Sequence, residues 1–155
     1  MKRLTFVSVV LTIALMMTGA CTPSSQPSSQ ASSSSTGTGT PVNVDGGTYW
    51  KLTPSQFRAL TRSAGTFLVN VDNGYSGEIA ETDLFLRADQ APDSLDLFPS
   101  DKDTRIAIYC STAKNSPAVA AALVQAGYSN VFELEGGLVA WVQQGYPAIN
   151  NPPNT

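Results

Sequence analysis

Histidine is absent from this chain, and cysteine occurs only twice in 155 residues. Without histidine there is no imidazole base, no His-based triad and no histidine-built zinc site. Two cysteines cannot complete a four-cysteine zinc or iron–sulfur site, so neither a metal nor a cofactor is expected. Charge is scarce as well. Only 14% of residues are charged, and nine scattered basic residues face twelve acidic ones, for a formal net charge of −3. That balance, with no basic cluster, argues against a nucleic-acid partner. The length leaves room for one domain. What the chain does contain falls into three unlike segments.

Met1, Lys2 and Arg3 make a short positive start, and residues 4–17 follow as a fourteen-residue run without a charge. A permanent membrane-spanning helix needs about 20 residues, whereas a signal-peptide core is shorter. Thr18, Gly19 and Ala20 then lead to Cys21. Small residues before a cysteine, behind such a run, resemble the bacterial lipobox, whose cysteine is acylated and becomes the mature N-terminus. Thr18 stands where that motif usually has an aliphatic residue. The reading is a signal over residues 1–20 and a lipidated Cys21, carrying palmitate-like chains that hold the protein on the extracytoplasmic face of a cell-envelope membrane. Two or more acyl chains anchor stably, at about 0.8 kcal/mol per buried CH₂. An ordinary secretory signal with Cys21 incidental is the other reading.

Residues 22–40 contain no charge and no apolar side chain larger than alanine. Nothing there offsets the entropy of ordering, so residues 21–47 are expected to be a disordered Ser/Thr-rich tether. On that view the stalk is dispensable for folding, and a chain begun near Gly46 melts like the mature one.

The domain is expected over residues 48–148, with residues 149–155 a disordered tail. Within it Tyr49 to Leu52 reads as a short strand. Thr53 and Pro54 supply an N-cap and a first helical position. Phe67 to Val71 is an apolar, β-rich run ended by Asp72, Asn73 and Gly74; Leu84 to Leu86 and Arg105 to Tyr109 are further runs. Ser116 is read as the cap of a helix that Pro117 opens, with Val119, Ala120, Leu123 and Val124 on one face, stopped by Gly127. Val131 to Leu134 is the last strand, and Gly136 and Gly137 lead into a helix through Leu138, Trp141 and Val142. Short apolar strands alternating with helices indicate an α/β fold with a mostly parallel sheet covered on both faces. Nothing in the pattern calls for an oligomer, and a monomer is expected.

Cys110 closes the Arg105-to-Tyr109 strand and precedes a helix, at the sheet edge where α/β proteins bind ligands. Ser111, Thr112, Ala113, Lys114 and Asn115 are small or polar and can wrap backbone N–H groups around one centre, toward which the next helix points its positive end. A thiol there is expected to ionise more readily than free cysteine. With no imidazole to take the proton, activation has to come through that easier ionisation. If Cys21 is lipidated, Cys110 has no disulfide partner in the chain. On the residues alone, a reactive thiol and a small buried hydrophobe at a strand end stand level. Lys114 is either an anion ligand or a solvated loop lysine. Glu135, Gly136, Gly137 and Trp141 read as turn and core residues before site residues.

Several elements, in order, are similar to the rhodanese-like family. Leu52-Thr53-Pro54 through Leu60 resembles its opening strand and helix, and Phe67 to Asp72 its strand ending in an acidic or amide residue. Gly77-Glu78-Ile79 resembles its Gly-His-Ile turn, and Ile106 to Cys110 the strand that delivers its cysteine. Ala126-Gly127-Tyr128, Asn130-Val131 and Leu134-Glu135-Gly136-Gly137-Leu138 with Ala140-Trp141 match its C-terminal hallmark. The resemblance implies a mostly parallel sheet of about five strands with helices on both faces. It also implies transfer of sulfane sulfur: Cys110 accepts sulfur from a small sulfur-containing anion or a persulfide donor, carries it as a persulfide, and gives it to a thiol acceptor. Ser111 to Asn115 would then line the substrate site.

The departures bear on substrate. The family's loop usually reads Cys-Arg-x-Gly-x-Arg. Here Ser111 replaces the first arginine, Ala113 the glycine, Lys114 is the one basic residue, and Asn115 ends the loop. Lysine cannot offer arginine's bidentate fork, and Ala113 is expected to keep the loop out of positive φ. Asn70, Asp72 and Glu78 also replace the common Asp, Arg and His. Weak use of thiosulfate is expected, with persulfide or polysulfide donors preferred. The competing reading is a binding module that recognises a protein or an anion without turnover. A cysteine-loop phosphatase would need arginine six residues after the cysteine, and position 116 is serine.

Overall fold

The computed structural model describes residues 39–150. The signal, Cys21, tether residues 22–38 and tail residues 151–155 lie outside the described residues. In chain order the elements are β1 (Thr40–Val44), β2 (Gly47–Leu52), α1 (Pro54–Thr61), β3 (Thr66–Val71), β4 (Leu84–Leu86), β5 (Arg105–Tyr109), α2 (Ser116–Gln125), β6 (Val131–Leu134) and α3 (Gly137–Gln143). Two short 3₁₀ turns, Ala91–Asp93 and Leu95–Leu97, lie between β4 and β5.

The strands form one six-stranded sheet in the order β1-β2-β6-β5-β3-β4, parallel except for the β1–β2 pair. Alternation along each strand sends neighbouring side chains to opposite faces. Ile106, Ile108 and Cys110 therefore join Val69, Val71 and Val131 under α2, which contributes Val119, Ala120, Leu123 and Val124. Ala107 and Tyr109 face the other way, with Leu68 and Leu134, under Phe57 of α1 and Leu138 and Trp141 of α3. The helices cover both faces, as the strand–helix alternation implies.

Local chemistry sets the boundaries. Thr53 caps α1 in a capping box with Gln56, and Pro54 opens the helix, where its missing N–H costs nothing. α2 ends at Gln125, and Gly127, at φ +92°, donates to the Val124 carbonyl.

Three expectations need correction. The sheet has six strands instead of about five, because Thr40–Val44 pairs antiparallel with Gly47–Leu52. The tether therefore does not extend to residue 47. Val42 and Val44 alternate with Asn43 and pack on the α2-side core. A two-residue Asp45-Gly46 turn, with Gly46 at φ +90°, joins the strands, as an Asp-Gly pair between alternating apolar residues favours. The third concerns the tail, which does not begin at residue 149: Ile149 pairs with Glu78 through two backbone hydrogen bonds of 2.8 and 2.9 Å.

Candidate active site

Cys110 leaves the end of β5 at the sheet's centre and is fully buried, at 0% exposure. The chain then turns through Ser111, Thr112, Ala113, Lys114 and Asn115 into α2. α3 holds this loop from outside: Leu138 N–H donates to the Cys110 carbonyl (2.9 Å) and Val139 N–H to that of Ser111 (3.0 Å). The contact is closest at Gly137, φ +64°. A Cβ there would lie 2.5 Å from the Cys110 carbonyl oxygen and 2.7 Å from the Ala113 nitrogen, so a side chain is sterically barred. Gly137 thus meets the loop directly, whereas the sequence placed turn and core roles before a site role. Trp141 is in the core, as its spacing implied.

The expected cradle is only partly open. Asp72, just past β3, accepts from Ser111 N–H through Oδ2 and from Asn115 Nδ2 through Oδ1, both at 3.0 Å. The protein's own carboxylate thus occupies one loop amide and the side chain that closes the loop. Thr112 and Lys114 are exposed on its rim. Ala113 does adopt positive φ, +56°, against expectation. The loop keeps the left-handed turn a glycine would favour, and alanine bears the strain of about 1–2 kcal/mol.

Ser116 was expected to cap α2, but that position falls to Asn115, whose backbone is already helical and whose side chain makes no capping bond. Ser116 is instead the first helical residue, fully buried, with its hydroxyl turned into the fold. Its Oγ lies 3.6 Å from Cys110 Sγ and donates to Glu133 Oε1 at 2.9 Å. Glu133, on β6, is 0% exposed. Its other oxygen, Oε2, makes no hydrogen bond among the described residues and lies 3.9 Å from Lys51 Nζ on β2. Burial pushes the Glu133 carboxyl above the usual carboxylate range, against the pull of the Ser116 hydrogen bond and the Lys51 charge. Nearby on β2, the Tyr49 phenol is raised by burial and by Glu133.

Sequence reasoning named Ser116 only as a cap and passed over Glu133. A parity signal was available. Val131 and Glu133 share one face of β6, and Val131 packs with Ile106, Ile108 and Cys110. Beyond the loop, Asn70 donates from Nδ2 to the Gly77 carbonyl (3.1 Å), while its Oδ1 is buried without a hydrogen bond among the described residues.

Residues 68–144 match the profile of the rhodanese-like domain family. This segment is a rhodanese-like domain. Its fold resembles the rhodanese-related protein of Thermoplasma volcanium, with TM-score 0.56 and 20% identity over 64% of this chain and 96% of that one. It also resembles the thiosulfate sulfurtransferase of Pseudomonas aeruginosa, with TM-score 0.55 and 24% identity over 65% of this chain and 20% of that one. Among curated relatives, the sulfurtransferase of Allochromatium vinosum is 40% identical over 48 residues, 31% of this chain and 45% of that protein. The tRNA uridine(34) hydroxylase of Erwinia tasmaniensis is 28% identical over 113 residues, 66% of this chain and 32% of that protein. The chain thus spans about a third to under half the length of these two relatives.

Proposed function

We propose that this rhodanese-like domain is a sulfurtransferase or sulfur carrier working through a persulfide on Cys110, held at a membrane by lipid on Cys21. The observation that carries the reading is the placement of Cys110. It stands where the central strand hands over to a tight loop and the N-terminus of α2, the arrangement that stabilises negative charge developing on sulfur. A sulfurtransferase among the relatives supports the same chemistry. The anchor rests on the order positive, apolar, small, cysteine in residues 1–21. Replacing Cys21 with serine is expected to release the protein or stall its processing.

A second reading has its own support. Cys110 is wholly buried and Asp72 occupies the Ser111 amide, features that suit a module recognising a protein or an anion without turnover. One measurement separates the two. After incubation with thiosulfate or polysulfide, the intact mass is expected to rise by one sulfur atom in the parent and not in Cys110→Ser. No sulfur from any donor would transfer the argument to the binding module.

A further inference from the structure

Buried carboxylates are costly, and natural folds keep very few with an oxygen left unpaired. Glu133 is such a group, and its one strong hydrogen bond leads through Ser116 to Cys110. The three residues come from different places in the fold, Glu133 on β6, Ser116 on α2 and Cys110 just past β5. The groups facing Glu133 are Tyr49 and Lys51 on β2, Ser116 on α2 and, just beyond its own strand, Glu135. Lys51 is the cation of the set, and it is half-exposed. The thiol has Ser116 at its side and Asp72 across the loop.

We propose that Glu133, acting through the Ser116 hydroxyl, accepts the proton of Cys110, so that a histidine-free site still has a base. This rests on the reading of Cys110 as the sulfur-carrying thiol. As Cys110 gives its proton to Ser116 Oγ, Ser116 passes its own to Glu133 Oε1. The hydroxyl is regenerated, and one proton has moved from sulfur to carboxylate. The thiolate then attacks the outer sulfur of a hydropersulfide donor, R–S–SH. An S–S bond to Cys110 forms as the donor's S–S bond breaks, and the electron pair leaves on RS⁻. That thiolate takes back the proton, directly from solvent or by reversal of the relay, giving Cys110–S–SH and RSH with no external oxidant or reductant. Ser116 touches the reacting sulfur. Glu133 is a positioning residue for its proton.

The relay has a kinetic signature that packing alone does not produce. Between ionisation of Glu133 and ionisation of the thiol, the pair holds one proton. The fraction carrying it on the carboxyl is then independent of pH. The test uses the full chain in detergent with Cys21→Ser, leaving Cys110 as the one thiol, and follows alkylation by neutral iodoacetamide against pH. The parent is expected to show a plateau below the ordinary thiol value of about 8.5. Glu133→Gln and Ser116→Ala are expected to lose it, the rate rising tenfold per pH unit. Two units below that value they should be slower than the parent by about tenfold or more.

Lys51→Met, at a half-exposed position on β2, guards against variants that fail to fold. Removing the cation should move the lower edge of the plateau to higher pH. Profiles that superimpose across parent and variants, or a parent Cys110 that is not alkylated at all, would overturn the relay. Sulfur loading, read separately by intact mass, keeps the two ideas apart. A plateau without loading sinks sulfur transfer and leaves the relay standing, and loading without a plateau does the reverse.

Discussion

At the scale of single residues, two side chains sit where simpler chemistry would not place them. Ala113 holds φ +56° in the loop after Cys110, a conformation that sets its Cβ against the following carbonyl. Ala113→Gly removes that strain of about 1–2 kcal/mol, less the extra entropy glycine loses on folding. A net gain of about 1 kcal/mol is expected, or about 4–8 °C in Tm for a domain of this size. Thermal and urea melts read it directly, and an unchanged or lower midpoint would show that the turn is not strained. Glu133 is the second case, and its effect depends on pH. An ordinary carboxyl titrates near 4.5, and burial lifts Glu133 above that. In the window above 4.5 the folded chain still holds a proton that the unfolded chain has released. Its contribution to stability is therefore fully present below that window and is lost as pH rises through the folded value. Glu133→Gln cannot ionise. Its stability relative to the parent should rise across the window and then level, while below it the difference stays constant with pH. Urea midpoints at several pH values check this, and parallel curves throughout would mean that Glu133 titrates normally.

At the scale of elements, β1 carries the clearest consequence. Val42 and Val44 are partly buried on the α2-side core, and the strand covers the edge of β2. A chain begun at Gly46 loses both. Half-burial of each valine is worth about 1 kcal/mol, so a loss of about 2 kcal/mol and about 10 °C in Tm is expected. The newly bare β2 edge should also promote association. A melt identical to that of the full chain would show that β1 is decorative. The same hairpin shows what was legible in advance. Asp45-Gly46 between alternating residues is a strong hairpin signal, but the uncharged Ser/Thr run before it drew the boundary too late. Strands β3 to β6 and helices α1 and α2 were readable because apolar runs and turn residues are local facts. Cys110 was readable for the same reason, as the residue between a strand and a helix start. The Ser116–Glu133 contact was not. It spans 17 positions and depends on which face of β6 meets α2, which register decides and no short motif encodes. Asp72 was flagged as a departure at a strand end, yet its reach across 39 positions to the Ser111 amide is likewise a product of the assembled sheet.

At the scale of the whole molecule, charge bears on which donor the site accepts. The chain carries a formal net charge of −3. The loop carries the exposed Lys114, and the buried Asp72 already binds the Ser111 amide and the Asn115 side chain. A thiosulfate dianion approaching Cys110 meets a fixed carboxylate where an anion-binding loop would present free N–H groups. A neutral hydropersulfide meets no such opposition. On the sulfur-carrier reading, loading from thiosulfate should therefore be slow and should quicken as salt screens the repulsion over about 10 Å. Asp72→Asn keeps an oxygen able to accept one of the two hydrogen bonds and removes the charge. Unit charges within a loop's width interact by about 2 kcal/mol at an effective dielectric of about 20. The variant is accordingly expected to load from thiosulfate about thirtyfold faster at low salt, with a flatter salt dependence and little change toward the neutral donor. The measurement is the initial rate of sulfur addition by intact mass, with both donors at two ionic strengths. If the parent takes sulfur from thiosulfate as readily as from the hydropersulfide, Asp72 is not what selects the donor. Equal acceleration of both donors in Asp72→Asn would instead assign it to loop rigidity, since a lost charge has to discriminate between a dianion and a neutral molecule.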